Sequence, residues 1–149
     1  MNLNRIRKAL QPAALSLVLL CSCGSPVSYD LPAQPLEFDV VTFTNPALNT
    51  DSYASFVYNG RTYIPFGTPK APFKGSDVSS CIGYITENGT KDENSRVLTL
   101  KADPDGNYLA VTDIGKSSLP TTVMRAIDTQ KKEISVPACV KDEGYEFWK

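Results

Sequence analysis

The chain is expected to fold as a mainly β protein, a small antiparallel β-barrel or sandwich with little helix. Three observations predict this. From Glu37 onward, short runs rich in Val, Thr, Tyr and Phe alternate with turn residues at close intervals. Asn59-Gly60 stands between two aromatic-rich arms and is the favoured two-residue hairpin turn, because both residue types tolerate positive φ. No long apolar stripe with a 3.6-residue period occurs after residue 22.

The elements follow in order. EFDVVTFT (37–44) alternates with Phe38 and Val40 on one face, then changes phase to Val41 and Phe43. A bulge, or a strand buried on both faces, would produce that slip. In FVYNGRTYIPF (56–66) the turn pairs Tyr58 with Arg61, Val57 with Thr62 and Phe56 with Tyr63. Alternation then puts Phe56, Tyr58, Arg61 and Tyr63 on one face and Val57, Thr62, Ile64 and Phe66 on the other. The second face is more aliphatic and is assigned to the core. The first is expected to face solvent, with Tyr58, Arg61 and Tyr63 contacting a partner, since aromatics and arginine are enriched at recognition surfaces. The alternative is a cross-strand aromatic cluster that only stabilises the hairpin.

CIGYIT (81–86) reads as a buried strand and ENGTKDENS (87–95) as a polar loop. RVLTLKA (96–102) sets Leu98, Leu100 and Ala102 against Val97, Thr99 and Lys101. Asp103-Pro104-Asp105-Gly106 is a turn. NYLAVTD (107–113) returns with Leu109 and Val111 inward, TTVMRAID (121–128) is a further strand, and TQKKE (129–133) a turn. The tail VPACVKDEGYEFWK (136–149) fits a strand or a short helix, the helix weakened by Gly144.

The first residues carry a different signal. Arg5, Arg7 and Lys8 precede an apolar run from Ala9 to Leu20, the two opening parts of an export signal. The run is shorter than the roughly 20 apolar residues of a spanning helix and holds Gln11 and Pro12. A buried core helix fits poorly, because the run has no polar face. Leu20-Cys21-Ser22-Cys23 resembles the lipobox of bacterial lipoproteins, with Leu three residues before an acceptor Cys and small residues between. The resemblance implies a diacylglycerol thioether on Cys23, removal of residues 1–22, and a membrane anchor on the extracytoplasmic side. Two or three acyl chains, palmitate among them, suffice for stable anchoring. Cys21 as acceptor would put bulky Leu20 immediately before it. Plain secretion, with cutting after Ser22 or Ser25, is the alternative. The expected organisation is a signal peptide over 1–22, a lipid-anchored tether over 23–36 with three prolines, and one β-rich domain over 37–149.

Without its signal the chain carries twelve Lys and Arg against sixteen Asp and Glu, a net charge of −4. No basic stripe is visible, so no nucleic-acid partner is expected. The absence of histidine removes the commonest general base and metal ligand. Cys81 and Cys139 remain in the body, far apart and outside any CxxC pair, so a zinc or thioredoxin reading has no support. In an exported protein they are a candidate structural disulfide, with two free thiols the alternative.

Two motif matches are discounted. Ala110 to Ser117 loosely matches a phosphate-binding loop, but Pro120 and a strand-favouring TTV follow where a helix is required. Asp103, Asp105 and Asn107 begin like a calcium loop, but Tyr108 and Ile114 stand where a glycine and a bidentate glutamate are needed. No metal and no cofactor are expected, with a weak calcium site at that turn the minority reading.

NGRTYIPF resembles the NGRTYVP-type segment of copper amine oxidase N-terminal-like modules, β-rich exported adhesive or wall-associated units. The resemblance covers about eight residues and brings no enzymatic residue. The stretch from Tyr58 to Lys149, with RAIDT and GYEFW, is similar to small lipoproteins of Gram-positive gut bacteria. The expected function is a lipid-anchored binding or structural module of the cell envelope, without catalysis, whose partner is an envelope protein or glycan. The alternatives are an immunity or inhibitor lipoprotein that intercepts a toxin or enzyme, and a small hydrolase built on two close carboxylates in a deep pocket.

Overall fold

The computed structural model describes residues 24–149. The expected signal peptide, residues 1–22, and Cys23 lie outside the described residues. The ten strands are β1 Leu36–Asp39, β2 Val41–Thr44, β3 Ser52–Tyr58, β4 Arg61–Pro69, β5 Val78–Glu87, β6 Thr90–Lys91, β7 Ser95–Leu100, β8 Tyr108–Asp113, β9 Thr121–Ala126 and β10 Val140–Asp142. Single 3-10 turns span Ile127–Thr129 and Glu146–Trp148. The strands run in the order β1-β5-β7-β8-β9-β4-β3-β2, with β10 added to β4 and β6 to β5. Every pairing is antiparallel except β1 with β5. The protein is mainly β, as its sequence predicts, and the sheet curls into a half-barrel. Among the described residues no helix is long and apolar enough to cross a membrane.

The β3–β4 hairpin has the predicted register, Phe56 opposite Tyr63, Val57 opposite Thr62 and Tyr58 opposite Arg61. Asn59 (φ 49°) and Gly60 (φ 73°) supply the two left-handed residues of its turn. A Cβ added at Gly60 would meet nothing within 4 Å. Gly60→Ala therefore tests backbone strain alone and should cost about 1 kcal/mol in a urea titration. An unchanged midpoint would contradict the turn assignment.

The phase change in EFDVVTFT is neither a bulge nor a doubly buried strand. The chain breaks at Val40 and changes partners: β1 pairs with β5, and β2 with β3. The Val40 N–H donates to the Thr86 carbonyl at 2.9 Å. β1 and β2 are the two ends of the sheet order, so a single residue links edges that an open sheet would leave far apart.

Both faces of the curled sheet are packed, which explains why central strands read as nearly continuous apolar runs. The concave face holds Phe38, Phe56, Tyr63, Val97, Leu109, Met124 and Ala126. Phe38 and Phe56 come from opposite ends of the sheet and meet at 5.2 Å between ring centroids. The convex face holds Phe66, Val78, Leu98, Leu100, Tyr108, Ala110, Val123 and Val140.

Two terminal segments cover the convex side. The C-terminal tail is both of the things predicted for it, a short strand and a helical turn. Its Phe147 is buried with Tyr53 and Ile64. Trp148 donates its indole N–H to the Pro65 carbonyl at 2.7 Å. The Arg125 guanidinium stands 4.7 Å from the Trp148 ring and 5.3 Å from that of Phe66, a cation–π stack that ties tail to sheet. The second cover is the N-terminal segment, read from the sequence as a tether and here packed on the domain. Val27 and Tyr29 pack on the convex core, and Arg96 Nε donates to the Tyr29 carbonyl at 2.8 Å. Prolines keep residues 24–35 out of regular structure, but their side chains find an apolar surface to cover.

Candidate functional site

The hairpin face assignment is also corrected. Phe56, Tyr58, Arg61 and Tyr63 do share a face, but that face lines the half-barrel. Tyr63 is 1% exposed, and Tyr58 and Arg61 are half-buried. Ile64 and Phe66, assigned to the core, are indeed buried, while Val57 on the same face is 57% exposed. Alternation shows which side chains share a face; it is blind to a second covering layer on the other side.

Arg61 is a clamp. Its Nη1 donates to the carbonyls of Gly106 (2.9 Å) and Asp105 (3.3 Å), Nη2 to Asn107 Oδ1 (2.9 Å), and Nε to Asp128 Oδ1 (3.1 Å). The Tyr63 hydroxyl also donates to the Gly106 carbonyl, at 2.5 Å. These bonds close one end of the half-barrel by tying the hairpin to the 103–107 turn. They also answer the calcium reading. Asp103 accepts the Tyr108 N–H at 2.6 Å and the Asn107 amide at 3.3 Å, and a guanidinium occupies the approach to the carbonyls. Burial pushes the Asp103 carboxyl above its ordinary range, against the lowering effect of those bonds. Asp128 sits below the ordinary range: desolvation, the largest single influence, acts upward, and the Arg61 bond, the Arg61 charge and the Lys132 charge together outweigh it. Among the described residues no cluster of three or more metal-ligating side chains occurs.

Cys81 and Cys139 are free thiols in the structure, not a bonded pair. Both are half-buried against the convex core, and burial is the main cause that pushes both thiols up, which suppresses the reactive thiolate. The phosphate-loop match has no helix: Asp113 ends β8, a turn follows, and Thr121 opens β9.

The opposite end of the half-barrel is open. A cavity of about 310 Å³ lies there, within the lower range of small-ligand sites. Its floor is apolar, made by Phe56, Pro65, Ile85, Val111 and Met124, and Val40 and Ala54 stand at its side. The polar lining is largely satisfied within the protein. Ser55 Oγ donates to the Val41 carbonyl (2.9 Å), Ser95 Oγ to the Asp92 carbonyl (3.0 Å), and Thr112 accepts from Thr121 (2.8 Å). Two carboxylates line it, Asp92 from the loop before β7 and Asp113 from the end of β8. Asp92 is exposed and accepts the Asn94 N–H at 3.0 Å. Asp113 accepts the Gly115 N–H at 2.9 Å and pairs with Lys116 at 3.4 Å. Each acts first as a clamp of its own loop.

Sequence reasoning missed this site. The available signal was the phase change at Val40, which marks where β1 and β2 part and leave the mouth unfilled. Nothing local to Asp92 or Asp113 singled them out, because Asp92 is brought in by the loop before β7 and Asp113 by the end of β8. The chain matches no protein family, no curated protein and no solved structure.

Proposed function

We propose that this chain is a lipid-anchored extracytoplasmic binding module of the bacterial cell envelope. It is held to the membrane through Cys23 and performs no catalysis. The half-barrel cavity receives a small apolar group, either a free ligand or a side chain of an envelope partner. The observation that carries this reading is the cavity itself. An apolar floor whose polar neighbours are already hydrogen-bonded favours an occupant that asks for burial rather than for new hydrogen bonds. The anchor rests on the basic start, the short apolar run and Leu20-Cys21-Ser22-Cys23.

Ala54→Trp tests the cavity. Ala54 is exposed at its side, so an indole there covers the mouth without entering a packed core. The neutral fluorophore N-phenyl-1-naphthylamine should bind the native chain saturably, one per molecule. Ala54→Trp should weaken that binding at least tenfold with thermal stability nearly unchanged. Equal binding by both proteins would dismiss the cavity as the site. Mass spectrometry of the membrane fraction tests the anchor, which requires an N-terminal Cys23 carrying diacylglycerol.

A further inference from the structure

The packing of the N-terminal segment decides how the domain stands on a membrane. Residues 23–36, if free and extended, would let the body stand roughly 45 Å from its anchor. The segment is not free. The Gly75 N–H donates to the Ser25 carbonyl at 2.6 Å. Contact there is close enough that a Cβ on Gly75 would fall 2.6 Å from that oxygen. Gly24 rests on Lys74, with 3.5 Å between the Lys74 Cδ and the place of a Gly24 Cβ. Cys23 is the residue bonded to Gly24 in the chain. An acyl chain on Cys23 therefore enters the bilayer directly beside the body.

The surface at that point is cationic. Lys70 and Lys74 are exposed on the loop after β4, with the exposed Ala71 and Pro72 between them. Lys101 donates its Nζ to the Gly75 carbonyl at 2.8 Å. Among the described residues none of these three lysines forms an ion pair, whereas Lys91, Lys116, Lys132, Lys141 and Lys149 all do. Two acids lie near. Asp77 accepts the Lys74 backbone N–H at 2.8 Å, and Asp30 is bonded to Ser28 at 3.2 Å. Because the chain from residue 23 onward carries a net −4, an anionic leaflet repels most of it. A local group of unpaired lysines then selects the orientation.

Resting on the Cys23 anchor reading, we propose that Gly24, Lys70, Lys74 and Lys101 form a membrane-docking face, seated on the phosphates of anionic glycerophospholipids. The domain lies on the bilayer instead of standing off it. Each lysine near such a surface strengthens association about fivefold, and salt weakens the effect.

The test uses residues 23–149, which contain every strand and both cores. An N-terminal hexahistidine tag holds the chain on nickel-chelating vesicles, so the face is tested whether or not Cys23 is acylated in cells. Lysine acetylation is read by mass spectrometry on vesicles rich in phosphatidylglycerol and on pure phosphatidylcholine. On the anionic vesicles Lys70, Lys74 and Lys101 should react several-fold more slowly, Lys141 and Lys149 should be unchanged, and high salt should remove the difference. The triple change of Lys70, Lys74 and Lys101 to Glu should release the chain from anionic vesicles when the tag is displaced with imidazole. Equal labelling of all lysines on both surfaces would overturn the docking face. Absence of acyl-Cys23 in cells would overturn the anchor reading and leave the labelling result to decide the face.

Discussion

Gly83→Ala should destabilise the protein by about 4 kcal/mol, more than any single truncation of an exposed side chain. Gly83 lies on β5 directly opposite Leu36 of β1. A Cβ there would stand 2.0 Å from the Leu36 carbonyl oxygen and 2.9 Å from Phe38 Cε2. The first clash is with backbone, which cannot swing aside as a flexible side chain does. β5 is held on its other side by β7, so β1 is the element that yields. Detaching β1 exposes Phe38, which is 2% exposed in the native fold. It also gives up the Tyr84 bond to Glu37 (2.5 Å) and the Thr86 bond to Asp39 (3.1 Å). Burial of one such ring stabilises by about 1.5–3 kcal/mol and each hydrogen bond by about 1 kcal/mol. Urea unfolding gives the magnitude, and limited proteolysis near residues 36–40 shows whether β1 has come away. A loss below about 1 kcal/mol would mean that β1 contributes little to the half-barrel.

Tyr63→Ala should cost about 3–5 kcal/mol, the range for removing a large buried aromatic. Its ring stacks on Phe56 at 5.9 Å and 16° and lies 6.5 Å from Tyr58. Tyr63→Phe keeps the ring and should cost only about 1 kcal/mol, because Gly106 still accepts from Arg61. The pair of variants separates packing from the hydroxyl. Burial pushes the Tyr63 phenol above its ordinary value, with Arg61 acting the other way. An acid whose folded value is raised loses its proton first in the unfolded chain. Stability contributed by the neutral phenol is therefore full below about pH 10, the unfolded value, and falls as pH rises above it. Tyr63→Phe should lose less stability than the native protein in that alkaline window. Tyr53 and Tyr108, raised chiefly by burial, add the same slope in both proteins.

Local chemistry made some of this legible. The Asn59-Gly60 turn determines its own register, and the aromatic arms on either side have no other good pairing. Boundaries set by Pro and Gly, such as the 103–106 turn, were readable for the same reason. What period two leaves open is how many layers cover a sheet. Ile64 is buried in a cluster with Phe147, and Tyr63 in one with Phe38, residues that come from the two ends of the described chain. One aliphatic face and one aromatic face therefore both became core. Arg61 looked free because Asp128, its ion-pair partner at 3.1 Å, is 67 residues away. The cavity was hidden by the same kind of distance: its floor is drawn from five strands, and its acidic lining from the end of one of them and from the loop before β7.

The one-residue junction at Val40 also sets an order of events. The β3–β4 hairpin and the β7–β8–β9 meander close short loops, whereas the Leu36–Gly83 pairing must close a long one. Loop closure grows as (3/2)RT ln n, roughly 3 kcal/mol beyond the constant for a loop of this size. Non-local pairing of this kind is slow and late. Until it happens, β5 and β3 are open edges, which are templates for association with other chains. The stretch around Val40 thus acts as a latch that ends a vulnerable interval in the life of the newly made chain. Because Val40 also borders the cavity, the cavity comes into existence only when that latch shuts. An occupant that touches it holds the latch closed, so it slows unfolding while leaving the rate of folding unchanged.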